Sequence, residues 1–288
     1  MYQLRCGRNL LAALAMALLL EGCRGILAPA GPVGAAEKTL LLNSLAIMLA
    51  IVIPTILVAV TFAWWYRASN PRARYRPTWA YSGRLELIIW SIPALAVFFL
   101  GGVAWISSHE LDPARPLASK AQPVEIEVVA LDWKWLFIYP RQGVASINQL
   151  VVPAGVPLHL RLTSATVLNV FFVPRLGSMI YTMNGMVAQL NLQADEPGVY
   201  PGRAAHFSGD GFSDMHFEVH AVSPADFAGW AARTRTSGPS LDAAAYRQLL
   251  RQTQNVKPYT YRNVEAGLFA AILTQKLPPG DGPAVVEN

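Results

Sequence analysis

G-V-Y-P-G-R-A-A-H-F-S-G-D-G-F-S-D-M, residues 198–215, separates two runs in which apolar and polar residues alternate, M-V-A-Q-L-N-L-Q-A (186–194) and M-H-F-E-V-H-A (215–221). Alternation at period two puts successive side chains on opposite faces of a strand. The pattern recurs in V-E-I-E-V-V-A (124–130), D-W-K-W-L-F-I-Y-P (132–140), Q-L-V-V-P (149–153), V-P-L-H-L-R-L-T-S (156–164) and L-N-V-F-F-V (168–173), with turn residues between the runs. Half-buried strands at this spacing predict an all-β sandwich or barrel over residues 124–222. The stretch itself is poor in metal donors. Ala204 offers none, Phe212 offers no lone pair, and Met215 brings a single weak thioether.

The chain of 288 residues is 53% hydrophobic and only 14% charged, and its apolar residues concentrate before residue 107. That balance, with eight tryptophans and a positive mean hydropathy, points to a membrane protein carrying a soluble domain. The net charge of +5 comes without a basic run interleaved with aromatics outside Arg67–Arg84, so nucleic acid is not an expected partner. Both cysteines, Cys6 and Cys23, precede the first long apolar run. The soluble part therefore has no disulfide framework and no thiolate metal site.

Residues 1–22 read as a secretory leader: Arg5 and Arg8, then an apolar core from Leu10 to Leu20 that is too short to span a bilayer. Its L-E-G-C ending resembles a bacterial lipoprotein box, which makes Cys23 the candidate lipidation site; the other reading is an uncleaved leader with an ordinary thiol. Two runs, 40–66 and 85–106, are long and apolar enough for transmembrane helices, with Pro54 tolerated if a neighbouring helix or Thr55 serves the freed carbonyl. Trp64, Trp65 and Tyr66 form an aromatic belt. The loop 67–84 carries five arginines and no acid, so it is expected in the cytoplasm, with residues from 107 onward in the periplasm. Beyond an Ala/Pro linker at 112–123 and the strands, residues 223–288 show helical spacing, broken at Pro239 and Pro258.

The stretch at 198–215 resembles the copper loop of subunit II of haem-copper respiratory oxidases, whose pattern is G-x-Y-x-G-x-C-x-E-x-C-G-x-x-H-x-x-M. Gly198, Tyr200, Gly202, Gly209 and Met215 match that frame. Ala204 and Ser208 stand at the cysteine positions, His206 at the glutamate, Phe212 at the histidine, and Asn169, in L-N-V-F-F-V-P-R-L-G, at the other histidine. A dinuclear copper site needs bridging thiolates and imidazoles, and neither is in place. The resemblance is thus to the copper-less subunit II of quinol oxidases of the cytochrome bo type, and it implies a cupredoxin-like Greek-key domain behind a two-helix hairpin. It further implies an aerobic respiratory complex of the bacterial inner membrane in which subunit I holds the haems, the remaining copper and the ubiquinol site. This chain would hold no cofactor or metal and carry no catalytic residue. It would brace and cap subunit I beside further small membrane subunits and lipid, with no cytochrome c as donor.

L-E-L-I-I-W-S-I-P, residues 85–93, resembles the family's second helix, whose glutamate lies by the mouth of a proton channel; Glu86 matches it. A plainer reading pairs Glu86 with Arg84 or lets it reach water, although an acid in an apolar run is a functional candidate by default. D-W-K-W-L-F-I-Y-P resembles the family's aromatic segment, with Trp133 and Trp135 on one strand face and Lys134 on the other. Core packing or contact with subunit I is the role expected of these rings. His206, His216 and His220 lie near the loop, but alternation with Met215, Phe217 and Val219 turns the strand histidines outward. Two rival readings stay open. One is a cytochrome c oxidase subunit II, which requires the missing donors, and the other a membrane-anchored scaffold or assembly factor outside any oxidase.

Overall fold

The computed structural model describes residues 25–74 and 76–280. The leader, the candidate lipid site Cys23 and the last eight residues lie outside them. Residues 38–112 form one compact unit, and the described residues before and after them form a second.

Helix α1 spans Pro32–Trp65 and helix α2 Gly83–Glu110; both are long and apolar enough to cross a membrane. Helix α1 thus starts well before the expected Leu40. Proline is suited to a first helical position because its fixed φ is helical and its missing N–H would be unpaired there. At 34 residues the helix is about 50 Å long, against about 30 Å of hydrocarbon, so its first turns are surplus to a crossing. Those turns belong to the soluble unit. Gly34 N donates to Leu176 O at 3.0 Å, and Glu37 Oε1 accepts from Ser178 N at 2.8 Å and from Ser178 Oγ at 2.6 Å. Just upstream, Ala30 N donates to Arg175 O at 2.7 Å, and Arg175 Nε donates back to Ala28 O at 3.0 Å. Gly177 permits the approach: it sits at φ +118°, and a Cβ there would lie 2.8 Å from Gly34 N. At Pro54 the Thr55 hydroxyl donates to Ile51 O at 2.8 Å, one residue beyond the carbonyl of Ala50 that the proline leaves without its N–H.

The soluble unit is a two-sheet, cupredoxin-like sandwich. Its strands are β1 (Val124–Leu131), β2 (Lys134–Tyr139), β3 (Val144–Ile147), β4 (Gln149–Pro153), β5 (Leu158–Ser164), β6 (Asn169–Val173), β7 (Gly177–Thr182), β8 (Ala188–Leu192), β9 (Gly198–Ala204) and β10 (His216–Val222). Helix α3 (Pro224–Thr236), β11 (Ser240–Leu241), α4 (Ala243–Leu249), β12 (Tyr259–Val264) and α5 (Leu268–Leu273) follow. One sheet has the order β11-β12-β3-β2-β1-β5-β8 and the other β4-β10-β9-β6-β7. The chain changes sheets at Asn148, whose φ of +53° bends it between β3 and β4; Asn148 Oδ1 accepts from Trp135 N at 2.8 Å.

Residues 223–280 are more than a helical extension. β12 pairs antiparallel with β3 and enlarges the seven-stranded sheet. Helices α4 and α5 cover the outer face of that sheet, where Val129, Leu131, Leu136 and Ile138 pack with Leu241, Tyr246, Tyr261 and Phe269 in a second core. The main core lies between the sheets around Trp135, Phe137, Phe171 and Phe217. Because both faces are covered, β2 is buried at every position and not at every other one. D-W-K-W-L-F-I-Y-P is also not one strand. Leu131 pairs with Lys134, which leaves Asp132 and Trp133 as a two-residue hairpin turn.

Candidate functional site

The first seven residues of the 198–215 stretch are the strand β9, paired with β10 from Gly198↔Ala221 to Arg203↔His216 and with β6 at Phe171↔Ala204. Its apolar alternation is masked by Pro201 and Gly202. Glycine is required at 202 because a Cβ would lie 2.2 Å from Phe217 Cζ. The remaining residues leave the sheet after Ala204 and return at Met215, tied by Ala204 N to Met215 O at 3.0 Å and Ala205 N to Val170 O at 3.1 Å. Gly209, at φ +105°, makes the turn, and a single 3-10 turn at Phe212–Asp214 closes the loop.

Trp133 holds this loop from below. Its indole Nε1 donates to Ser208 O at 2.9 Å, and its ring lies so close to Gly211 that a Cβ there would meet Cδ2 at 2.4 Å. The hairpin turn that presents Trp133 places it at φ +62°, a conformation disfavoured for a bulky residue.

The positions matching copper ligands converge, but as packing. Asn169, Ala204, Ser208 and Met215 are all buried, and Ala204 and Met215 belong to the main core, with Phe212 packed against it. Ser208 Oγ faces Met215 Sδ at 4.0 Å. Asn169 Nδ2 reaches Val167 O at 3.5 Å, and its Oδ1 is buried without a partner. His206 points outward: it is exposed, its Nδ1 lies 3.0 Å from Phe207 O, and its ring meets Tyr181 edge-on. The donors therefore do not fit a dinuclear copper centre. One thioether, one carboxamide and one hydroxyl are hard or weak ligands where thiolates and imidazoles are needed. Among the described residues no group of three or more His, Cys, Asp or Glu side chains could hold a metal ion. His216 is exposed, and His220 is committed to Glu218 Oε2 at 2.8 Å.

The residues flanking the tryptophans do something the pattern did not reveal. Asp132 and Lys134 point away from the main core, yet each is only 2% exposed. Lys134 Nζ donates to Arg251 O at 2.8 Å and Thr253 Oγ1 at 2.7 Å, while Asp132 accepts from Thr166 Oγ1 and, at 3.3 Å, from Gln252 Nε2. Burial pushes Lys134 down to about 8, with the Asp132 charge acting the other way. Tyr200, a match to the family frame, gives its hydroxyl to Glu196 O at 2.7 Å and lies under the Arg175 guanidinium, 5.1 Å from the ring centroid. Burial raises its phenol and Arg175 opposes the rise. On the neighbouring strands Arg161 pairs with Glu127 at 3.1 Å, and burial raises Glu127 against that cation. Glu86 is exposed in the first turn of α2.

The chain is similar to known proteins along most of its length. Residues 126–222 match the family described as Cytochrome C oxidase subunit II, periplasmic domain, and residues 235–280 match the COX Aromatic Rich Motif. The chain is 47% identical over 268 residues to ubiquinol oxidase subunit 2 of Acetobacter aceti, covering 92% of this chain and 87% of that one. It is 44% identical over 270 residues to cytochrome bo(3) ubiquinol oxidase subunit 2 of Pseudomonas aeruginosa, covering 93% and 82%. Among solved structures, the periplasmic domain of subunit II of the cytochrome oxidase of Bradyrhizobium japonicum aligns at 21% identity and a TM-score of 0.38, over 46% of this chain and 99% of that one. With relatives this similar along nearly its whole length, the chain belongs to the ubiquinol oxidase subunit 2 family.

Proposed function

We propose that this chain works as subunit II of a proton-pumping ubiquinol oxidase of the cytochrome bo type, in a complex that oxidises quinol and reduces oxygen to water. The observation that carries the reading is the loop at 198–215, which keeps its glycine frame while Ala204, Ser208 and Phe212, with Asn169 from β6, stand at the donor positions: Ala204 is part of the main core, Phe212 packs against it, and Ser208 and Asn169 are buried. A water-soluble electron donor needs a metal relay at the protein surface. A quinol dissolved in the bilayer reaches the membrane subunit from the side, so a relay in this chain has nothing to carry. In this reading the haems, one copper and the quinol site belong to subunit I, and cytochrome c is not a donor.

The chain's own part is then mechanical. Its two helices cross the bacterial inner membrane beside subunit I and further small membrane subunits, with the sandwich in the periplasm. The clamp of Glu37 on Ser178 and of Arg175 on Ala28 holds the start of α1 to the sandwich. Cys23 is the proposed lipid site, a second anchor beside two spanning helices. Glu86, near the cytoplasmic end of α2, is proposed to help admit protons to the complex, since an acid at that depth has to face water or a partner.

Gentle detergent purification of the tagged chain tests the reading through metal analysis, a haem spectrum and oxygen uptake. Copurified haem with a single copper per complex, and uptake driven by quinol but not by reduced cytochrome c, is the expected result. A complex with additional copper that oxidises cytochrome c would overturn it, and a haem-free preparation would favour a scaffold outside any oxidase.

A further inference from the structure

The turn between the two apolar helices contains a recess lined by arginine and aromatic side chains. Two side chains shape it. Arg67 Nη1 donates to Trp64 O at 3.0 Å while its guanidinium lies 4.9 Å from the Trp64 ring centroid, and Asn70 Nδ2 donates to Trp65 O at 2.6 Å. Together they satisfy terminal carbonyls of α1, which would otherwise present negative partial charge at this end of the helix. Asn70 Oδ1 also accepts from Arg72 N at 3.1 Å, which turns the chain back toward the helix.

The result is a recess of about 780 Å³ whose lining includes Phe62, Trp65 and Trp79 together with Arg72, Arg74 and Arg76. No aspartate or glutamate occurs between Glu37 and Glu86, so this segment carries no acid of its own to neutralise the three guanidinium groups. Orientation of the helices in the membrane requires only that positive charges be numerous on one side. It does not require three of them to line one cavity. Arg67 and Arg84, which serve orientation equally well, do not line it.

We propose that the recess binds an anionic phospholipid of the leaflet it faces, with the phosphate held by Arg72, Arg74 and Arg76 and the glycerol and upper acyl chains lying on Phe62, Trp65 and Trp79. Guanidinium forks match phosphate oxygens in pairs, and basic pockets beside membrane helices are suited to lipid headgroups. The aromatic floor argues for the lipid over free phosphate, because an inorganic ion would leave that apolar wall unused. The proposal rests on α1 and α2 being membrane spans, and it is independent of where electrons enter the complex.

The test is native mass spectrometry of the intact complex, delipidated and then given back phosphatidylglycerol or phosphatidylcholine, with haem content recorded on the same sample. Phosphatidylglycerol should be held at detergent levels that strip phosphatidylcholine. The triple variant R72K/R74K/R76K preserves every positive charge, and hence orientation, while removing the forks. It should hold one phosphatidylglycerol fewer, with retention about tenfold weaker. If the triple variant does not assemble, the single exchanges R72K, R74K and R76K supply the same comparison, each with a smaller loss. Unchanged retention in the lysine variants would overturn the proposal, as would displacement of the bound lipid by inorganic phosphate alone. Loss of haem with retention intact would count against the oxidase reading and not against the lipid site.

Discussion

The indole Nε1 of Trp133 donates to the main-chain carbonyl of Ser208 at 2.9 Å, joining residues 75 positions apart. The hairpin turn between β1 and β2 thereby supports the loop in which Ala204, Ser208 and Phe212 stand at copper-ligand positions. Where a metal would otherwise fix the loop, an indole, a glycine and a buried methionine hold its shape.

Gly211→Ala should therefore destabilise the chain by roughly 2–3 kcal/mol, because a methyl group 2.4 Å from Trp133 Cδ2 forces either the ring or the loop to move. Trp133→Leu in the same chain should recover part of that loss. The pair is then non-additive, as contacting residues are. Denaturant unfolding of the detergent-solubilised chain, followed by fluorescence, measures all three variants; strictly additive losses would show that the two residues do not share this contact.

Reinstalling the donors is the reciprocal experiment. A chain carrying Asn169→His, Ala204→Cys, His206→Glu, Ser208→Cys and Phe212→His, with Met215 untouched, should take up copper and gain visible absorption from thiolate-to-copper charge transfer. A chain that folds but stays colourless and copper-free would mean that the retained glycine frame has moved away from ligand geometry.

Lys134 makes stability depend on pH. Its folded value of about 8 lies below the ordinary 10.5. Between those two values the unfolded chain binds the extra proton, so stability rises with pH across the window, by up to roughly 3 kcal/mol. The buried phenols of Tyr139, Tyr246 and Tyr261 are all pushed upward. Unfolding releases their protons at high pH, so they act in the opposite direction above about pH 10. Urea midpoints should accordingly increase from about pH 8 to about pH 10 and then fall. Lys134→Met should abolish the rise, whereas an unchanged slope in that variant would assign it to another group.

Glu86→Ala provides a separate check on the proton role. Turnover of the assembled oxidase should slow severalfold while haem content stays at the wild-type level, and Glu86→Asp should recover part of the rate. Equal turnover in the alanine variant would leave Glu86 as a residue that merely reaches water from the first turn of α2.

The all-β domain was legible because β5, β10 and the first half of β1 alternate in the manner of strands covered on one side. Other elements carried no such signal. β3 has only four residues, β7 begins at the glycine that receives the start of α1, and β12 follows directly on Pro258. Donor loss at the loop could be read from residue types alone, since an alanine cannot ligate wherever it sits. The burial of Asp132 and Lys134 could not. A charged residue at every second position reads as a solvated face, and what covers this one is a segment up to 120 residues downstream. Likewise Glu37 reads as a polar residue at the mouth of an apolar run, and only the fold brings Ser178 to it.

The seven-stranded sheet also bears on the order in which the chain can be completed. Synthesis proceeds from the N-terminus, so β1, β2 and β3 are made long before β12, α4 and α5 exist. Until those last segments are made, Val129, Leu131, Leu136 and Ile138 present a bare apolar surface, and β3 keeps the edge that β12 later occupies open to pairing. Open edges and unburied apolar faces are what make a nascent domain prone to aggregate. The residues after Pro239 thus act as a final closure on a half-made sandwich. A ribosome stalled or a chain cleaved shortly before residue 259 would yield a product whose fate is association or proteolysis rather than assembly.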